Sequence, residues 1–151
     1  PVHCAEPAND DRVYVCDRAA DRIQVFQKDG TFLSEVVIAP ATLSQGSTWD
    51  IAFSPDDAQT YLYLADGQNM KVYIILRDSM EILTSFGDGG RQPGLFFAVH
   101  SIATDSDGNI YTTETYEGSR IQKFVYQGVG PIPSANQGAV WPGETHTYGG
   151  M

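Results

Sequence analysis

Apolar and polar residues alternate along this chain with a period of two, and no stretch carries the 3.6-residue period of an amphipathic helix. Val13 to Arg18, Leu62 to Gly67 and Ile110 to Thr115 each set β-branched or aromatic residues at alternate positions and run into an acid: Asp17, Asp66 or Glu114. Such runs predict half-buried strands. A polar turn follows each, then a second strand opened by a cation: Arg22 to Phe26, Lys71 to Ile75 and Arg120 to Phe124. A further strand precedes each: His3 to Ala5, Trp49 to Phe53 and His100 to Thr104, closed by turns such as Ser54 to Asp57 and Asp105 to Gly108. The first two repeats add an outer strand, Phe32 to Ile38, entered through Lys28 to Gly30, and Glu81 to Phe86.

Four short strands recurring about every 40 to 50 residues define a β-propeller blade. The predicted fold class is therefore all-β, a propeller of four-stranded blades with three blades present, at about residues 1–40, 41–90 and 91–127. The third blade lacks an obvious fourth strand, and a Gly/Pro-rich tail, 128–151, follows it. Propellers close with about 4 to 8 blades, so three predict half of a six-bladed ring, completed by upstream sequence or by a second copy in a homodimer. The absence of an initiator Met before Pro1 points the same way.

Composition narrows the partners. The 151 residues are 42% hydrophobic and 19% charged, enough to bury a core and too apolar for disorder. A net charge of -10 argues against a nucleic-acid backbone or an anionic membrane surface as partner. No apolar run approaches the roughly 18 residues that span a bilayer. No nucleophile elbow, phosphate loop or HExxH zinc motif occurs. Asp105 to Asn109 begins like a calcium loop, but Tyr116 stands where the closing acid would be, so a turn is the better reading. His146, in the tail, has no positional partner and is expected at the surface.

The first strand of a propeller blade lines the central channel. Aligning the repeats puts His3, Trp49 and His100 in one channel-lining column, and the histidines of alternate blades form a candidate metal pair. Buried, hydrogen-bonded structural histidines fit the same positions. Pairing about the turn at Asn9 to Asp11 sets His3 opposite Asp17 and Cys4 opposite Cys16. Equivalent pairing brings Asp66 near Trp49 and Glu114 near His100. Asp17 and Glu114 could orient the histidines by accepting their second ring N–H; the favoured role for these acids is to hold the turn and pair with Arg22, Lys71 or Arg120. For Cys4 and Cys16, buried thiols are the favoured state and a cross-strand disulfide the alternative. Arg18 falls at the same blade end as His3.

The run Val13 to Arg18 followed by Asp21 to Phe26, with Gly87 to Phe97 leading into His100 and Asp107 to Tyr111 beyond, resembles the NHL-repeat propellers over residues 2 to 127. Within that group, a histidine opening a blade, then Cys16 to Arg18 and Asp21 to Gln24, then a histidine two blades on, is most similar to peptidyl-α-hydroxyglycine α-amidating lyase and its bacterial relatives. The resemblance implies a six-bladed ring with a catalytic zinc held by three axial histidines. His3 and His100 match two of these ligands; the implied reaction needs a cation on the substrate carboxylate, for which Arg18 is the candidate by its place at the blade end, with a salt bridge at the rim as the alternative. The third ligand and the family's catalytic tyrosine would precede Pro1, so this chain alone is expected to be inactive. The implied reaction releases a peptide amide and glyoxylate, and the implied location is secreted or periplasmic. Three departures stand against a full match. Ser101 replaces the residue expected to hold a structural calcium, which weighs against calcium; Tyr14 and Val25 occupy the positions of the family's disulfide; and Ala98 replaces a methionine. The competing class is a non-catalytic binding or scaffold propeller that takes a small molecule, peptide or protein at its channel mouth.

Overall fold

The computed structural model describes residues 1–131; most of the expected tail, with His146, lies outside the described residues. Strands β1 (Val2–Pro7), β2 (Arg12–Asp17), β3 (Arg22–Gln27) and β4 (Phe32–Val37) form one antiparallel sheet in chain order. A second follows with β5 (Asp50–Phe53), β6 (Tyr61–Asp66), β7 (Lys71–Leu76) and β8 (Glu81–Phe86). The third has three strands, β9 (Val99–Thr104), β10 (Ile110–Glu114) and β11 (Ile121–Phe124). One 3₁₀ turn, Arg18–Ala20, interrupts the all-β pattern. The turn between β3 and β4 requires Gly30, which sits at φ 90° where a side chain would be strained.

Each sheet is a four- or three-stranded meander, and the three stack face to face with β1, β5 and β9 side by side. This is a partial β-propeller. Its core is interlamellar. Tyr14, Cys16, Ile23 and Val25 of the first blade meet Ile51, Leu62, Leu64 and Ile75 of the second. The opposite face of the second blade, with Tyr63, Ala65 and Val72, meets Phe96, Val99, Ile102 and Ile110 of the third. Successive side chains of β6 therefore enter different cores, which is why Leu62 to Ala65 is continuously apolar where an edge strand would alternate. Two polar stitches lock the inner strands: Asp50 accepts the Ile102 N–H at 3.0 Å, and Thr104 Oγ1 donates to the Phe53 carbonyl at 2.7 Å.

Cys4 and Cys16 are directly opposed with Cα atoms 4.9 Å apart and form a disulfide, correcting the expectation of free thiols. That spacing lies inside the range a cystine needs, so no backbone movement is required to close it. Tyr14 does face Val25 across β2 and β3. The Asp105 segment is a self-capped turn: its carboxylate accepts from the Asp107 and Asn109 amides, the Asn109 side chain and the Tyr111 hydroxyl.

Candidate functional site

The inner-strand ends of all three blades converge on one cluster. The His3 and His100 ring centres are 5.1 Å apart, and the Trp49 ring lies 5.9 Å from the first and 5.5 Å from the second. The β1–β2 register explains how His3 reaches it. Cys4 pairs with Cys16, but the next pair outward is Val2 with Asp17, so His3 is the extra residue of a bulge. The same slip occurs in the third blade, where Ser101 pairs with Thr113 and Val99 with Glu114, leaving His100 as the extra residue. Bulges re-aim the side chain they carry. His3 therefore does not face Asp17 as simple pairing predicts.

The acids go elsewhere. Asp17 bonds Arg22 at 2.8 Å. Glu114 accepts from Arg120 Nε at 2.6 Å, the Phe97 amide at 2.7 Å and Gln122 at 2.8 Å. Neither reaches a histidine. Asp66 is fully buried, but Asn69 satisfies it through its amide at 2.9 Å and its side chain at 2.7 Å, while Lys71 turns to the Gly87 carbonyl instead. The expected Asp66–Lys71 pair does not form, because an amide three residues on reaches the carboxylate without ordering a long side chain.

Burial drives the Asp66 carboxyl up to about 6, with Asp21 nearby pushing the same way and the Asn69 bonds opposing; Tyr73 beside it is pushed up to about 12 by burial and by Asp66. The folded chain therefore holds this proton more tightly than the unfolded one. Stability from this group is highest at low pH and falls as pH rises through about 4 to 6. In Asp66→Asn that slope should flatten, as read by urea denaturation at a series of pH values; an unchanged slope would assign it to other groups.

Arg18 completes the cluster. Its guanidinium lies over the Trp49 ring at 4.8 Å, and its Nη2 donates to Gln45 at 2.9 Å. It makes no ion pair among the described residues, and its Nε is buried without a partner. Asp50, which sequence reasoning passed over, lies near His3. Burial raises its pKa, while bonds from the Ile102 and Ile51 amides, the charge of His3 and a bond from the Ser101 side chain oppose the rise. Its signal was only its place beside Trp49 in the column. Farther along the same strands a cleft of about 340 Å³ is lined by residues including Glu6, Phe53 and Thr104. Burial, and then Asp50, raises the Glu6 pKa.

The histidine pair fits two ligands of a metal site. His3 Nδ1 is 2.6 Å from the Trp49 carbonyl, which can only accept, so Nδ1 carries a proton and Nε2 is the ring nitrogen left for a ligand. His100 titrates below its ordinary value, first through burial and then through His3 and Arg18, with Asp50 opposing, which favours a ring with a free lone pair. Two imidazoles on one tetrahedral zinc, at about 2.0–2.1 Å per bond, have ring centres about 5 Å apart, close to the 5.1 Å here. Among the described residues no group of three or more His, Cys, Asp or Glu is placed to hold a metal ion. The two histidines by themselves do not make up such a group.

Fold and cluster together define a partial β-propeller with polar groups gathered at the inner-strand ends. No protein-family model and no curated protein sequence matches the chain. Solved structures do match. It is similar to a catalytically inactive variant of virginiamycin B lyase from Staphylococcus aureus with quinupristin, at 18% identity and TM-score 0.57, over 83% of this chain and 41% of that one. It is also similar to U3-55K, at 19% identity and TM-score 0.57, over 83% and 39%. Kuenenia stuttgartiensis hydrazine synthase matches at 11% identity and TM-score 0.57, over 73% and 28%. The chain thus spans less than half of each of these proteins, and at these identities the likeness is one of fold.

Proposed function

We propose that this chain is part of the ring of a zinc-dependent lyase that cleaves peptidyl-α-hydroxyglycine to a peptide amide and glyoxylate, the reaction implied by the NHL-type and amidating-lyase resemblance. The observation that carries the reading is the meeting of His3, His100 and Arg18 from two different blades around Trp49. His3 and His100 would hold the zinc together with a third ligand from outside this chain. Zinc, when bound, supplies Lewis acidity that lowers the cost of deprotonating a substrate hydroxyl. Arg18 binds the substrate carboxylate; a guanidinium with no ion pair among the described residues is suited to that work. As the hydroxyl proton leaves for a base outside this chain, its oxygen forms the aldehyde C=O of glyoxylate. The C–N bond breaks, and its electrons pass to nitrogen, which takes up a proton as the amide. The rest of the ring would come from further sequence or from a second copy.

The Cys4–Cys16 disulfide is compatible with a secreted or periplasmic location. No helix of the described residues is long and apolar enough to cross a membrane.

Metal analysis of the full-length protein, purified without chelator, tests the reading. About one zinc per complete ring is expected, with affinity falling at least about tenfold in His100→Ala, since loss of even an outer partner of a metal ligand costs about 10- to 100-fold. A well-folded full-length protein without zinc would overturn it and leave a binding propeller, for which glyoxylate release would also be absent.

A further inference from the structure

Trp49 occupies in the second blade the column position that the histidines hold in the first and third. It is 2% exposed, yet it belongs to neither apolar core; its ring neighbours are His3, His100 and Arg18. The indole is fixed from several sides. Its Nε1–H donates to the Gly46 carbonyl at 2.7 Å. Gly67 closes on the ring so tightly that a Cβ there would come within 2.7 Å of Cδ2. The Trp49 backbone carbonyl accepts a hydrogen bond from His3 Nδ1. Gly46 itself, at φ 77°, lies where a Cβ would fall 1.8 Å from the Arg18 carbonyl, so the loop that holds the indole also grips the backbone of Arg18.

The Arg18 guanidinium then rests on a fixed aromatic face. A cation within about 6 Å of an indole centroid is held by the ring quadrupole, and more strongly where water is excluded. The ring supplies attraction without neutralising the charge. A carboxylate partner would orient Arg18 equally well but would satisfy it. We infer that Trp49 is a positioning residue, which holds Arg18, a cation without an ion pair among the described residues, for an anionic carboxylate ligand and fixes the His3 ring through its main-chain carbonyl. The inference rests on the proposed carboxylate-binding role of Arg18 for its ligand, but not for the positioning itself.

The test uses the intact chain with glyoxylate as the carboxylate probe, followed by NMR titration. Trp49→Leu should weaken glyoxylate binding about tenfold, and Trp49→Phe, which keeps an aromatic face, should stay within about threefold of the parent. Arg18→Ala should cost as much as Trp49→Leu, and the double variant no more than either alone, because one interaction is being removed twice. In turnover by the complete ring the loss should fall on KM, with kcat little changed. Binding by Trp49→Leu equal to the parent, a loss in folded Trp49→Phe as large as in Trp49→Leu, or multiplying effects of the two sites would overturn the inference. If the parent does not bind glyoxylate, the carboxylate reading of Arg18 fails on its own. The positioning is then read from the Arg18 Nε–H resonance, whose slow exchange should persist in Trp49→Phe and vanish in Trp49→Leu; slow exchange in both would overturn it.

Discussion

Arg120→Ala should destabilise the chain by about 3–5 kcal/mol, the cost of breaking a buried ion pair from one side. Glu114 has a fully buried side chain, while that of Arg120 is one-quarter exposed, so the carboxylate is the partner that would be stranded. The guanidinium also donates to the carbonyls of Arg91 and Leu95, and Gln122 adds a bond to the same Leu95 carbonyl at 2.8 Å. Arg120 therefore ties β10 to the segment between β8 and β9 that delivers His100. Arg120→Lys keeps the charge but not the fork and should recover only part of the loss. Adding Glu114→Gln to Arg120→Ala should recover more, because it removes the stranded charge. Urea denaturation measures all three. A loss below about 1 kcal/mol for Arg120→Ala would show that the pair behaves like an exposed one.

This pair was legible in the sequence, as was the Asp17–Arg22 pair, because an acid closing one strand and a cation opening the next come opposite each other across a short turn and pair where no nearer donor takes the acid. The sheets were legible for a related reason. Period-two alternation survives in β2 and β10, and β6, buried on both faces, still announces itself through Tyr61, Tyr63 and the branched residues between turns. The repeat then supplies what no single strand can, since three copies of one pattern predict one architecture.

The site was less legible. Column alignment brought His3, Trp49 and His100 together, but the bulges that re-aim both histidines leave no mark in composition, and a one-residue slip redirects every neighbour. Asp17 and Glu114 accordingly keep the favoured role of pairing with Arg22 and Arg120, and the alternative of orienting the histidines falls. Asp66 holds its turn as expected but not the Lys71 pair, for a different reason: it is 0% exposed, where a local amide competes better than a solvated lysine. Asp50 was missed because its partner amide, Ile102, belongs to the next blade.

Replacing both Cys4 and Cys16 by alanine should cost about 3 kcal/mol, from the loop-closure entropy that a bridge across about a dozen residues removes from the unfolded chain. For a chain of about this size that corresponds to a melting temperature lower by roughly 6–12 °C. Two features of the location set the consequence. Both half-cystines are at most 9% exposed and contribute to the core between the first two blades, so the double alanine also loses packing. The bridge lies immediately inside the bulge at His3, and Cys16 is two residues before Arg18, so one covalent tie fixes the strand ends that carry both groups. Calorimetry with and without reductant separates these effects. If the melting temperature of the parent is unchanged in reductant while the double alanine melts lower, the bridge resists reduction in the folded state and the loss in the variant is read directly. If the double alanine melts with the parent, neither the bridge nor its packing stabilises this blade. A cross-link buried this deeply should resist thiol exchange until the first blade opens, so hydrogen exchange of the Tyr14 and Val25 amides should keep pace with reduction.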